Sequence, residues 1–458
     1  MAARYYFAYG TDMWKDQMAD RCPGNKLVGK GALPNWEWII DFRGYANILP
    51  STAMVVHGLV YLISQADEDS LDAYLACPEI LSKHTKTIET DTGPIQALVY
   101  FDATRTETGR ANNEYIRRMS NAIEDASKAG VPDDYIKYTI RPFIPKLTFG
   151  YGSNLWKGQM HFRCPQSSFA GVGVLENWKW VIMQRHVANV VRSQGDIVYG
   201  LLFTLSEADE KNLDNFEGSE YTKRMERIEV DGGNSHVTAL LYIDETWTDE
   251  GTTRPEYIGR LNNGIIDALK EDVPEDYIKK CIRPFVPILY FAYGTHMSST
   301  EMSGMSPRPW SWSELGALPG WRWDINNDGH ANIVRSAKDV VYGMIYEVDQ
   351  RDEARLEELV HPHYTRHLVQ VETSNDDKKY GPRYAHNYVN AVIYIDKRAG
   401  SGIPSADYIN VMNRAIEEGA GVGLPKKYVD KYLRQHIPPP QSGNDTQRSG
   451  WWYRRFWG

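Results

Sequence analysis

Two short segments of this chain carry residue types able to do chemistry. The first, Tyr151-Gly152-Ser153-Asn154-Leu155, follows an apolar run, and its glycine frees the backbone to turn with successive N–H groups facing one concavity. Such a nest takes an anion, typically a carboxylate, and the Ser153 and Asn154 side chains can add hydrogen bonds. The second segment, Leu213-Asp-Asn-Phe-Glu217-Gly218-Ser-Glu-Tyr221, ends a helical turn with a glutamate before a glycine. Glu217 on such a bend can project into a cavity, where burial would raise its pKa and suit it to general-base work. Taken singly, each segment also reads as plain structure: a strand-to-helix turn capped by Asn, and a solvated carboxylate at a helix end.

The elements that must position these residues recur. Tyr5-Tyr-Phe-Ala-Tyr-Gly-Thr-Asp-Met13 and Leu289-Tyr-Phe-Ala-Tyr-Gly-Thr-His-Met297 repeat the turn, so that Tyr9, Tyr151 and Tyr293 are spaced 142 residues apart in both steps. That period is the size of an ordinary domain and far exceeds a solenoid unit. Other landmarks keep phase: Trp36/Trp38, Trp178/Trp180 and Trp321/Trp323, then Asn47, Asn189 and Asn332, then Gly58, Gly200 and Gly343 inside β-rich stretches. Repeat three gains one residue near Pro307–Trp312. Each repeat closes with an amphipathic helix (114–129, 256–270, 407–419) and a last short helix opened by Pro132, Pro274 or Pro425. Proline-pinned segments lead straight into the next first strand, so the linkers are stiff. The expectation is an α+β chain: three tandem copies of a small, partly closed mixed β-sheet or barrel domain flanked by helices, at 1–146, 147–288 and 289–440, then an aromatic and basic tail at 441–458.

Composition bounds the partners. A chain of 458 residues with 42% apolar content and a net charge of −9 suits a globular protein and argues against nucleic-acid binding, which needs clustered Lys and Arg. No apolar run approaches a membrane span, and no cleavable signal is expected because the first strand starts at about Tyr5. Cys22, Cys77, Cys164 and Cys281 form no CxxC pair, so reduced thiols in the cytoplasm are expected. The paired tryptophans read as core or interdomain packing. His296, His361, His363 and His367 read as scattered surface and loop residues rather than a metal site. The tail, ending Trp451-Trp-Tyr-Arg-Arg-Phe-Trp-Gly458, reads first as docking on its own body.

In this order, a YGSNL turn, an Ala-Asn pair, a Val-Tyr-Gly strand, then Leu-Asp-x-x-Glu-Gly and a tyrosine resemble the γ-glutamylcyclotransferase (AIG2-like) family, throughout repeat two and more weakly in the others. The resemblance implies that Tyr151, Gly152, Ser153, Asn154 and Leu155 form a loop holding the α-carboxylate of a γ-glutamyl group. Glu217 would be the general acid/base and Tyr221 would line the site. The α-amine attacks the side-chain carbonyl and expels an amine as 5-oxoproline forms, a reaction that requires no metal or organic cofactor. Two other roles stay open: a pseudoenzyme that binds a carboxylate without turnover, and a tailoring isomerase or cyclase using the same pocket. The flanking repeats depart from the pattern. Glu217 corresponds to Leu75 and Val360, Glu79 and Glu358 sit out of register, and Asp12 and His296 replace Asn154. Asp12 is expected to repel a carboxylate, and both flanking copies to lack this chemistry.

Overall fold

The computed structural model describes the chain except for residues 1–3, 234, 304–312, 360–362, 374–387, 399 and 441–458. The tail, Val360, His361 and the site of the extra residue in repeat three therefore lie outside the described residues.

Fifteen strands form three closed five-stranded barrels, one per repeat. The first holds β1 (Arg4–Ala8), β2 (Lys26–Ile40), β3 (Ala46–Ile63), β4 (Ser82–Thr90) and β5 (Ile95–Phe101) in the order β1-β3-β2-β4-β5. The parallel pairing of β1 with β5 closes the ring, and the other pairings are antiparallel. The second repeats this with β6 (Lys146–Gly150), β7 (Phe169–Ile182), β8 (Ala188–Leu205), β9 (Thr222–Val230) and β10 (Ser235–Ile243). The third uses β11 (Ile288–Ala292), β12 (Ser313–Ile325), β13 (Ala331–Val348), β14 (Tyr364–Thr373) and β15 (Tyr388–Asp396). Each copy is thus the small mixed barrel expected from sequence, fully closed, and closure removes the exposed edges an open sheet would leave.

The recurring landmarks are what a small barrel demands. At Gly58, Gly200 and Gly343 an added Cβ would stand 2.1, 2.6 and 2.3 Å from the carbonyl oxygen of Ala8, Gly150 and Ala292, so any side chain there pushes the neighbouring strand away. Asn35, Asn177 and Gly320, just before the paired tryptophans, have φ of 64°, 61° and 81°. In the first and third barrels the strand register shifts at this residue, a bulge built from residue types that tolerate left-handed backbone. Asn47, Asn189 and Asn332 each clamp the end of their barrel's last strand. Their amides donate to the carbonyls of Asp102, Asp244 and Asp396 at 2.8–2.9 Å and accept the same residues' N–H.

The closing helices span Asn113–Lys128, Pro255–Lys270 and Ala406–Gly421. Pro132, Pro274 and Pro425 stand at the N-cap of the last short helix, one residue before the expected first helical position. The chain divides into two compact units, one with most of 1–248 plus 271–273, the other with 182–188, 249–270 and 274–458. In the first unit, helix Asn113–Lys128 reaches the second barrel: Asn121 donates to the His236 carbonyl at 2.6 Å and Arg117 pairs with Asp231 at 3.1 Å. In the second unit, helix Pro255–Lys270 meets the third barrel, where the Asn390 amide donates to Asn263 at 2.6 Å. Among the described residues no helix is long and apolar enough to cross a membrane.

If the glycine constraint is as tight as these distances imply, Gly200→Ala should destabilise the protein by about 1–3 kcal/mol, typical of overpacking. The check is a urea melt followed by fluorescence, and an unchanged midpoint would show that the barrel can give at this point.

Candidate functional site

The middle repeat's turn is built from the barrel outward. β6 ends at Gly150, and Tyr151 sends its buried hydroxyl to the Tyr242 carbonyl at 2.5 Å. Trp180 Nε1 donates to the Tyr151 carbonyl at 2.9 Å, so the turn is held from two strands. Gly152 then caps a single 3₁₀ turn, Ser153–Leu155, closed by the Leu155 N–H on the Gly152 carbonyl at 3.0 Å. Leu155 is buried and anchors the turn, while Gly152 and Asn154 keep partial exposure. Where the flanking copies have Ala8 and Ala292, a Cβ on Gly150 would come within 2.7 Å of the Asn154 carbonyl oxygen, so the middle turn is drawn closer to its strand.

Glu217 arrives from the other side. Helix Glu207–Glu217 starts at a Ser206 cap that accepts the Asp209 N–H, is pinned by fully buried Leu213, and stops at Gly218, whose φ of +83° suits glycine. Glu217 is thus the last helical residue, and its carboxylate meets the turn. Asn154 Nδ2 donates to Oε1 at 2.9 Å, and Arg163 Nη1 donates to the same oxygen at 3.0 Å. Both contacts fall on Oε1 and leave Oε2 outside them. Arg163, on helix Lys157–Arg163, also donates to Asn154 Oδ1 at 2.9 Å and lies 5.0 Å over the Phe216 ring. Gln159 Nε2 bridges Ser153 Oγ at 2.9 Å and Asn154 Oδ1 at 3.0 Å. The amide of Asn154 is therefore fixed in one orientation, with its oxygen toward donors and its nitrogen toward the carboxylate.

The structure brings Tyr151, Gly152, Ser153, Asn154, Leu155 and Glu217 together, and it leaves Tyr221 half-buried just past the helix end. Gln159, Arg163 and Phe216 were missed. The burial expected to act on Glu217 is shared with a cation: the side chains of Arg163 and Glu217 are 7% and 15% exposed, so opposite charges enter the site as a pair. Arg163 and Arg21 stand at equivalent places in the sequence, before Cys164-Pro165 and Cys22-Pro23, a signal of shared position that does not give the direction of the side chain.

The flanking turns balance charge differently. In repeat one the acid stands on the turn: Asp12 accepts from Tyr6 at 2.7 Å, from Gln17 at 3.0 Å and from Arg21 in a close ion pair. Arg21 and Gln17 are the counterparts of Arg163 and Gln159, and Leu75 takes the place of Glu217. The single carboxylate has moved from helix end to turn, so the expected repulsion by Asp12 is offset by its arginine. In repeat three His296 is half-buried and paired with Tyr290 at 2.9 Å, which corrects its reading as a surface residue; burial pushes its pKa down to about 4. Glu79 and Glu358 are exposed. Among the described residues no group of His, Cys, Asp or Glu is arranged to hold a metal ion.

A family model described as gamma-glutamyl cyclotransferase, AIG2-like, matches residues 6–118, 148–258 and 290–410. Among solved structures, the chain is similar to one described as gamma-glutamyl cyclotransferase (22% identity, 30% of this chain and 85% of that one, TM-score 0.27). An uncharacterized protein from Homo sapiens is similar over the same shares, at 23% identity and TM-score 0.27. YkqA from Bacillus subtilis aligns with 62% of this chain and 98% of its own at 17% identity, TM-score 0.28. No curated protein matches the chain.

Asp12→Asn should leave Arg21 without its counter-ion and lower stability by about 1–3 kcal/mol, the cost of an unsatisfied buried group. Adding Leu75→Glu, which returns the acid to the helix end, should recover much of that loss in a denaturant melt; no recovery would refute the exchange of carboxylate positions. The unfolded chain binds a proton on His296 below pH 6.5 that the fold refuses until about pH 4. Stability should accordingly fall as pH drops through that window, and His296→Gln should flatten the decline measured by calorimetry.

Proposed function

Because the chain belongs to the gamma-glutamyl cyclotransferase, AIG2-like family, we propose that its middle repeat converts a γ-glutamyl compound to 5-oxoproline and a free amine or amino acid. One observation carries the reading: among the described residues, a carboxylate and an arginine meet on the turn asparagine in the middle copy alone. The flanking repeats are then scaffolds without this chemistry.

In the proposed reaction the substrate's α-carboxylate docks on the turn 152–155. The first N–H groups of a helical turn have no partner inside it and favour an anion. Ser153 and Asn154 add side-chain hydrogen bonds, and Tyr151 and Leu155 hold the turn in place from behind. Glu217 accepts a proton from the α-ammonium as the freed amine attacks the γ-carbonyl carbon. A new C–N bond closes the five-membered ring, Glu217 returns its proton to the leaving nitrogen as the original amide C–N bond breaks, and the ring nitrogen gives up its second proton to the released amine, which departs as an ammonium. Arg163 and Asn154 act as positioning residues by holding Oε1, which leaves Oε2 to carry the proton. Tyr221 lines the mouth. The steps are acid–base chemistry and call on no cofactor.

Incubation with glutathione and γ-glutamyl amino acids, followed by mass spectrometry, should detect 5-oxoproline. Glu217→Gln should cut turnover by about 10²–10⁴-fold with the fold intact; activity within tenfold of the parent would remove Glu217 from the mechanism. A substrate with its α-carboxylate amidated should bind poorly, and equal binding of acid and amide would rule out the nest. Carboxylate-dependent binding without product, unaffected by Glu217→Gln, would identify a binding protein instead.

A further inference from the structure

Arg141, Arg283 and Arg434 occupy one position, the residue that ends the last helical turn of each repeat. Two of them are held from inside. Arg283 donates to the Asn262 side-chain oxygen at 2.6 Å and to the Val286 carbonyl at 3.3 Å. Arg434 donates to Asn413 at 2.5 Å and to the Ile437 carbonyl at 3.1 Å. Repeat one has Ser120 where the others have that asparagine, and the Ser120 hydroxyl turns away to the Arg117 carbonyl at 2.7 Å. Among the described residues Arg141 keeps a single weak contact, the Ile144 carbonyl at 3.4 Å. Burial pushes the pKa of Arg141 and of Arg283 down to about 10, while both residues keep partial exposure. For Arg283 the neighbouring amide answers part of that cost.

What Arg141 has instead is open space. It lines a cleft of about 1320 Å³ in the first compact unit, between the closing helices of repeat one and the second barrel. Several acids on the cleft wall already have cations of their own. Glu124 pairs with Lys128 at 3.1 Å, Glu207 with Lys211 at 2.9 Å, and Glu210 with Lys146 at 2.6 Å and Lys223 at 2.8 Å. The guanidinium that lost its amide is a lining group able to take a new acceptor, and its planar fork matches a carboxylate in bidentate fashion.

We propose that this cleft is a second binding site, separate from the turn at 152–155, for a small carboxylate-bearing molecule anchored on Arg141, with Ser120 clearing the way. The site does not depend on the reading of the middle repeat. Its test is calorimetric titration of the full chain with citrate and, separately, inorganic phosphate, at fixed ionic strength against a chloride control. Citrate should bind saturably. Ser120→Asn, which supplies the amide that the sister repeats carry, should weaken that binding at least tenfold, as should Arg141→Gln. Arg351→Gln, exposed in the second compact unit, should leave it unchanged. Absence of saturable citrate binding, or the same affinity in Ser120→Asn, would overturn the proposal. Binding of phosphate alone would overturn the carboxylate class.

Discussion

Each barrel depends on one buried phenol. The turn tyrosine of every copy donates to a carbonyl on the barrel's last strand, Tyr9 to Tyr100, Tyr151 to Tyr242 and Tyr293 to Tyr394. The tyrosine's own carbonyl accepts an indole N–H, from Trp38, Trp180 and Trp323 at 2.9–3.0 Å. A hydroxyl and a carbonyl buried without partners would each cost a few kcal/mol, so these bonds fix where the chain leaves the first strand. The glycine and the 3₁₀ turn that follow inherit their position from that anchor. Chemistry has changed between copies, and the anchor has not.

Around that anchor, charge obeys a simple rule. Repeat one keeps its arginine and sets one carboxylate on the turn; repeat two keeps its arginine and sets one carboxylate on the helix. Repeat three has a half-buried histidine at the turn, hydrogen-bonded to Tyr290, and the counterparts of Arg163 and Glu217 lie outside the described residues. A lone ion in so small a polar space would be strongly unfavourable, so in repeats one and two the cation is kept with an anion. The arrangement in repeat two differs in setting the acid on a separate element, the end of helix Glu207–Glu217, from which it meets the turn asparagine directly.

Much of this was legible in the chain before the fold was seen. The 142-residue phase located three domains because strand, turn, bulge and clamp all use residue types with narrow backbone or hydrogen-bonding needs, such as Gly200, Asn177 and Asn189. Glu217 and the turn stood out because glycine flanks both. Arg163 and Gln159 did not, since a short helix of seven residues with a basic end looks like any solvated surface helix until its face is known. The inward place of His296 was hidden for a related reason: a turn histidine reads as exposed unless the packing around Tyr290 is seen. The small mixed barrel was legible too, although the parallel pairing that completes its ring joins the first and last strands of each copy and leaves no local mark.

The helices that close repeats one and two each serve the barrel that follows, through Asn121 on the His236 carbonyl and Asn263 on Asn390. At the corresponding place the third helix carries Arg414, more than half exposed and paired with Glu301 of its own copy at 2.8 Å. An asparagine invites a neighbour, whereas a solvated ion pair resists burial. One helical position thus has two uses: as Asn121 and Asn263 it ties a helix to the barrel that follows, and as Arg414 it ties a helix back to its own copy while facing water.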